Sequence, residues 1–105
     1  MQTPPELTNE QRKAASTKAV ANRRRRSEIK AQLRSRELTW SDVLELAQTD
    51  EVAGSLKVVD VLRCIPGIGP RRLEKHMARA QVSASRRLRG LGPRQLEILN
   101  QYLAK

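Results

Sequence analysis

The chain has 105 residues, 38% of them apolar, with no Phe, one Trp and one Tyr. That suits one small domain with an arm, built on Leu, Val, Ile and Ala, and it argues against a β-sandwich, which needs more aromatic and β-branched residues. The net charge of +10 and pI near 11.1 point to a polyanionic partner, nucleic acid first, without separating DNA from RNA.

Along the chain the fold expected is all-α. "MQTPPELTNE" has no apolar core of a secretory signal, and no 18-residue apolar run could span a membrane. The single Cys64 excludes an internal disulfide and fits a reducing cytoplasm. Thr8 opens a capping-box pattern with Gln11. Asn9 to about Arg36 then lacks Gly and Pro and reads as one long basic helix. Ile29 and Leu33, at i and i+4, can dock on a core, whereas the first half has little to bury and is expected to project as an arm. Arg23 to Arg26 are spaced about 100° apart and cannot share one face. They are either a solvated helix surface or a helix lying along DNA, with Arg23, Arg24 and Arg26 as candidate contacts.

Thr39 begins a second helix, with Asp42 three positions on and a Trp40, Val43, Leu44, Ala47 stripe. Trp40 is expected to anchor the core rather than stack on a base. A turn is expected over about Asp50 to Ser55, then a third helix from about Lys57 to Cys64, ended by Pro66. A fourth helix starts at Gly69-Pro70 and runs to about Ala80. Ser83 is expected to cap a short turn, and the last helix runs from Gly92-Pro93 to the end. Residues 1–36 form one unit, the N-terminus and long helix, and residues 37–105 a second, compact one. Charge follows this division. Residues 1–36 hold ten Lys and Arg against three acids, residues 37–62 one against six, and residues 63–105 ten against two. Two basic blocks therefore flank an acidic middle.

Two loops share a layout. Gly67-Ile68-Gly69-Pro70-Arg71-Arg72-Leu73-Glu74 matches Gly90-Leu91-Gly92-Pro93-Arg94-Gln95-Leu96-Glu97 at six of eight positions. Each is either a plain helix break or a turn that presents helix-start amides to an anion. Lys75 joins Arg71 and Arg72 at the first loop, and Arg94 stands at the second. The basic setting favours phosphate binding for both.

The first loop resembles the hairpin of the helix-hairpin-helix class, which holds DNA backbone without base specificity. Leu73 replaces the small residue usual there, which suggests the wider helix-two-turn-helix arrangement. Over Trp40 to the C-terminus, "LKVVDVL", "PGIG" and "RRLRGLG" resemble the actinobacterial integration host factor family of mycobacteria and Streptomyces. That resemblance implies a long helix plus a helix-two-turn-helix domain. It implies a nucleoid-associated DNA-binding protein that supports phage integration, with duplex DNA as its partner. It implies contacts by Lys57, Pro66, Gly67, Ile68, Gly69 and Arg71, and by Arg86, Arg87 and Arg89. The remaining alternatives are an RNA-binding protein of ribosomal type, or an interaction module whose acidic middle, Glu37 to Asp60, holds a basic partner such as a phage integrase.

No enzyme is expected. Helix-hairpin-helix glycosylases need a Lys or Asp after the hairpin, but no Asp follows Ile65, and His76 is the only His. No cofactor or metal is expected either. His76 is read as a surface or half-buried residue and Cys64 as an inert core thiol. The chain is expected to be a monomer in the nucleoid, able to assemble on DNA.

Overall fold

The computed structural model describes residues 9–103, all helix and loop apart from one isolated antiparallel bridge. Helix α1 spans Asn9–Arg34, α2 Trp40–Thr49, α3 Glu51–Gly54, α4 Val58–Cys64, α5 Pro70–Ala80 and α6 Pro93–Leu103, with a 3-10 turn at Leu88–Gly90. The Thr8 cap and the chain beyond Leu103 lie outside the described residues.

Helix α1 stops two residues earlier than its composition suggests. Arg36 adopts a left-handed φ of 68°, and the amide of Leu38 reaches back to the Gln32 carbonyl at 3.1 Å. The helix is thus closed by a left-handed residue without glycine. At about 1.5 Å per residue its 26 residues span ~39 Å, which accounts for the 55 Å long axis of a molecule only 32 by 24 Å across. Residues 9–21 are exposed, so the arm forms as expected. Ile29 and Leu33 then bury completely against α3 and α4.

Thr39 completes a reciprocal capping box at α2. Its hydroxyl accepts from the Asp42 amide at 3.2 Å, and the Asp42 carboxylate accepts from the Thr39 amide at 2.9 Å. The Thr39 backbone bond, followed by its side-chain bond, holds the Asp42 carboxyl below its ordinary value. Trp40 is the core anchor expected of it, with its indole N–H donating to Asn100 on α6 at 2.8 Å.

The stretch expected as a turn after Asp50 is helical. One Asp50 oxygen accepts from the amides of Val52 and Ala53, so a residue that normally favours a turn serves here as an N-cap for α3. Gly54 ends that helix and is buried. A Cβ there would stand 3.1 Å from the Ala47 carbonyl oxygen and 3.4 Å from the Arg89 Cβ. Its role is close packing under the 3-10 turn.

Helix α4 starts one residue later than expected, because Lys57 forms the bridge with Arg87. The Val58 amide donates to the Arg86 carbonyl and the Leu88 amide to the Leu56 carbonyl, both at 2.9 Å. Leu73, on α5, is buried in the core, and Cys64 is a core thiol. Helix α5 ends on Gln81, again left-handed at φ 54°, with the Val82 amide on the Met77 carbonyl. Ser83 opens the following turn through its carbonyl, which accepts the Arg86 amide at 3.1 Å, rather than by a side-chain cap.

His76 corrects an expectation: it is buried, 7% exposed. The α5–α6 packing places it against Tyr102, ring centroids 4.7 Å apart, and the Arg79 guanidinium lies over that ring, 5.5 Å from its centroid, and donates to its hydroxyl. Its Nδ1 has no hydrogen-bond partner. Burial first, then the charges of Arg72, Arg79 and Lys75, hold the imidazole below its ordinary value of 6.5. The folded state therefore prefers neutral His76. Its full contribution is present above pH 6.5 and is lost as the pH falls below that value, where the unfolded chain binds the proton first. Comparing Tm at about pH 7 and about pH 5, a His76→Asn chain should lose less than the parent. An equal loss in both would remove His76 from the acid response.

Candidate nucleic-acid interface

The first glycine loop is a tight turn of the kind a Pro-Gly pair dictates. Pro66 and Gly67 occupy its centre, Gly67 takes φ +90°, and the Ile68 amide closes on the Ile65 carbonyl at 3.4 Å. Ile68 packs on the core and pins the loop. Gly69 is the N-cap of α5, in extended backbone (φ −80°, ψ 167°), and it carries no side chain to cap the helix. Pro70 has no N–H, and the Leu73 amide is the first to reach back, to the Gly69 carbonyl at 2.9 Å. The amides of Arg71 and Arg72 belong to the first turn, where no in-helix acceptor exists and the helix dipole is positive. A Cβ built on Gly67 or on Gly69 meets nothing within 4 Å. Both glycines face open space beside Arg71, Arg72 and Lys75, all exposed. The Arg72 guanidinium also donates to the Gly67 carbonyl at 3.4 Å, bracing the turn from the helix side.

The second loop repeats the hydrogen-bond scheme but not the conformation. The Leu91 amide reaches the Leu88 carbonyl and the Leu96 amide the Gly92 carbonyl, as at the first loop. Gly90, however, closes a 3-10 turn, and Gly67 is the one glycine with positive φ among the described residues. The two aligned positions that differ explain more. Where the first copy has Arg72, the second has Gln95, whose side-chain oxygen accepts from the Gly92 amide at 3.0 Å. That bond ties up the amide before the helix, while the first-turn amides of Arg94 and Gln95 correspond to those of Arg71 and Arg72 at the first loop. Gln95 also donates to the Gln81 carbonyl at 3.0 Å and ties the turn to the end of α5. What remains cationic is Arg94, across a cleft from Arg79.

A second group forms around the Lys57–Arg87 bridge. Arg87 donates to the Ser55 carbonyl at 2.6 Å, and Arg86 to the Gly90 carbonyl at 3.1 Å. Arg26 crosses from α1 and donates to the Ser55 hydroxyl at 3.3 Å. Lys57, Arg26, Arg86, Arg87 and Arg89 thus gather at the start of α4, while the glycine turn sits at its other end, roughly 10 Å away along a seven-residue helix. The resemblance had placed Lys57 with the glycine turn, and the fold groups it with the distal arginines. The four consecutive arginines divide as their spacing requires: Arg23 and Arg24 are exposed, while Arg25 and Arg26 turn toward the body. Arg25, singled out by nothing in the sequence, pairs with Asp50 at 3.2 Å. Burial raises the Asp50 carboxyl, but the Ala53 amide, Arg25 and the Val52 amide outweigh it and leave the group below its ordinary value. Among the described residues, no three His, Cys, Asp or Glu side chains could hold a metal ion.

Two helices joined through a tight Pro-Gly turn, with α6 packed behind, define a helix-two-turn-helix protein, and residues 33–102 match the S13-like H2TH domain. Integration host factors of Mycolicibacterium smegmatis and Mycobacterium tuberculosis are 43% and 42% identical over 95 residues, 90% of this chain and 90% of theirs. That of Streptomyces coelicolor is 41% identical over 97 residues, 92% of this chain and 91% of its own. A solved structure described as sIHF bound to an 8 bp palindromic DNA aligns with a TM-score of 0.76 at 37% identity, covering 83% of this chain and 98% of that one. The chain belongs to the integration host factor family of mycobacteria and Streptomyces.

Proposed function

We propose that this chain is a non-enzymatic, nucleoid-associated protein that binds duplex DNA through the phosphate backbone and minor groove. The observation that carries the reading is the uncapped start of α5. A glycine turn leaves space open in front of first-turn amides, with Arg71, Arg72 and Lys75 around it. A phosphate is the ligand such a place suits. Similarity to a relative solved with DNA supports the same ligand. The cations gathered at Lys57, Arg86, Arg87 and Arg89 form a second contact, extended along α1 by Arg23, Arg24 and Arg26, with Arg94 and the Gly90–Gly92 loop at the margin. Two contacts at opposite ends of α4 let one monomer bend a duplex or bridge two. Integration host factor relatives make support of phage integration the matching cellular role.

Titration of duplex DNA at several salt concentrations tests this. The slope of log affinity against log salt should lie between about −4 and −8, as about five to nine neutralised phosphates require. A slope near zero sinks the electrostatic account. Structured RNA in competition should displace the duplex poorly; preferential RNA binding would favour a ribosomal-type role instead.

A further inference from the structure

One face of α1 changes character along its length. Leu33, Ile29, Arg26, Asn22 and Lys18 recur at helical spacing of three and four, so they run down a single side. The first two are buried in the core. Arg26 reaches Ser55 at 3.3 Å, and residues 9–21 beyond it are exposed. A cleft of about 210 Å³ opens there, between Lys18, Asn22 and Arg26 on one wall and Glu51, Val52, Ser55 and Arg89 on the other. A helix face directed at its own domain is ordinarily apolar. This one carries two cations and an amide and looks across at a third cation.

We infer that this cleft is a phosphate seat for duplex DNA, with Lys18 and Asn22 as contact residues alongside Arg26 and Arg89. The inference rests on the duplex reading and deepens it by adding a contact on α1 that continues the Lys57–Arg87 group. Charge selects the occupant. Three cations face one carboxylate, Glu51, and the Arg26–Ser55 bond uses only one of five guanidinium N–H donors. Arg89 is held in place because its Cβ lies against Gly54, where no side chain intervenes. Asn22, one turn from both Lys18 and Arg26, offers a neutral donor between them. Glu51 sets a limit on what enters: an anion must approach from the Lys18 side to avoid it.

Equilibrium titration of the full chain with duplex DNA tests the seat, with helicity followed by circular dichroism. Lys18→Ala and Lys18→Gln should each weaken binding roughly three- to tenfold at about 0.1 M salt and flatten the salt slope by about 1. Glu51→Gln should tighten it. Lys13→Ala, which removes an equal charge from the opposite side of the same arm, should change affinity less than about twofold. Lys18→Ala and Arg89→Ala combined should cost less than the sum of the two, because both serve one phosphate. If the Lys18 variants bind as the parent does, or Lys13→Ala weakens binding equally, the seat is overturned and the duplex reading stands. If the parent itself fails to bind duplex DNA, both fall together.

Discussion

Replacing Gly69 by Asp should leave the fold as stable as before, or slightly more so, and weaken duplex binding roughly 10- to 100-fold. The two effects oppose each other because one set of donors serves both. Gly69 already holds the extended backbone that an N-cap needs, and its Cβ would meet nothing within 4 Å. An Asp there can fold its carboxylate onto the first-turn amides of α5 and satisfy them, a gain over Gly of a few tenths of a kcal/mol. It then occupies the place proposed for a phosphate and repels that phosphate by charge. Gly69→Asn separates the two causes, filling the site without the repulsion, and should fall between parent and Asp. Gly67 gives a different result. At φ +90° any L side chain costs about 1–2 kcal/mol, so Gly67→Asp should lower both Tm and affinity. Thermal melts beside binding titrations check the pair. Undiminished affinity in Gly69→Asp, with its cap formed, would remove the α5 amides from the interface.

The first glycine turn was legible because Pro-Gly-x-Gly-Pro encodes its own geometry: Pro66 fixes one torsion, Gly67 supplies the positive one, and Pro70 opens a helix. The second was legible as a sequence repeat, and it keeps the hydrogen-bond scheme of the first while Gly90 closes a 3-10 turn in place of a left-handed glycine. What the repeat did not show is the Gln95 side chain turned back onto the Gly92 amide, which depends on a rotamer that no loop motif records. The α3 helix was hidden for a similar reason. Asp50, Gly54 and Ser55 carry turn propensity, and only packing under Arg89 and the Asp50 cap makes four residues helical. Long-range pairings were the least accessible. Lys57 and Arg87 stand 30 residues apart, and neither periodicity nor charge links them; the bridge follows from how α4 and the 3-10 turn share the core. His76 was misplaced because a lone basic-helix histidine carries no sign of burial, whereas its stacking on Tyr102 depends on where α6 lands. The register of α1 followed from helical geometry, yet which of its arginines turns inward could not be read without Asp50 and Ser55 in place.

Trp40 separates stability from recognition, and its replacement should be the most damaging single change to the fold. It is 2% exposed, lies under α6, and spends its one N–H on Asn100 sixty residues away. Truncation to Ala should cost about 3–5 kcal/mol and lower Tm by more than about 15 °C in a domain of this size. Trp40→Phe keeps most of the apolar volume and gives up the bond, so it should cost less, and Asn100→Ala should cost about 1 kcal/mol. In the Phe and Asn100 variants, duplex affinity measured well below Tm should equal that of the parent. An indole packed in the core has no face left for a base, in a chain whose proposed contacts all go to phosphate through backbone amides, cations and the Asn22 side chain. Should Trp40→Phe weaken DNA binding while Asn100→Ala, equally destabilised, does not, Trp40 would be a stacking residue after all, and the backbone-only reading of the interface would need a base contact added to it.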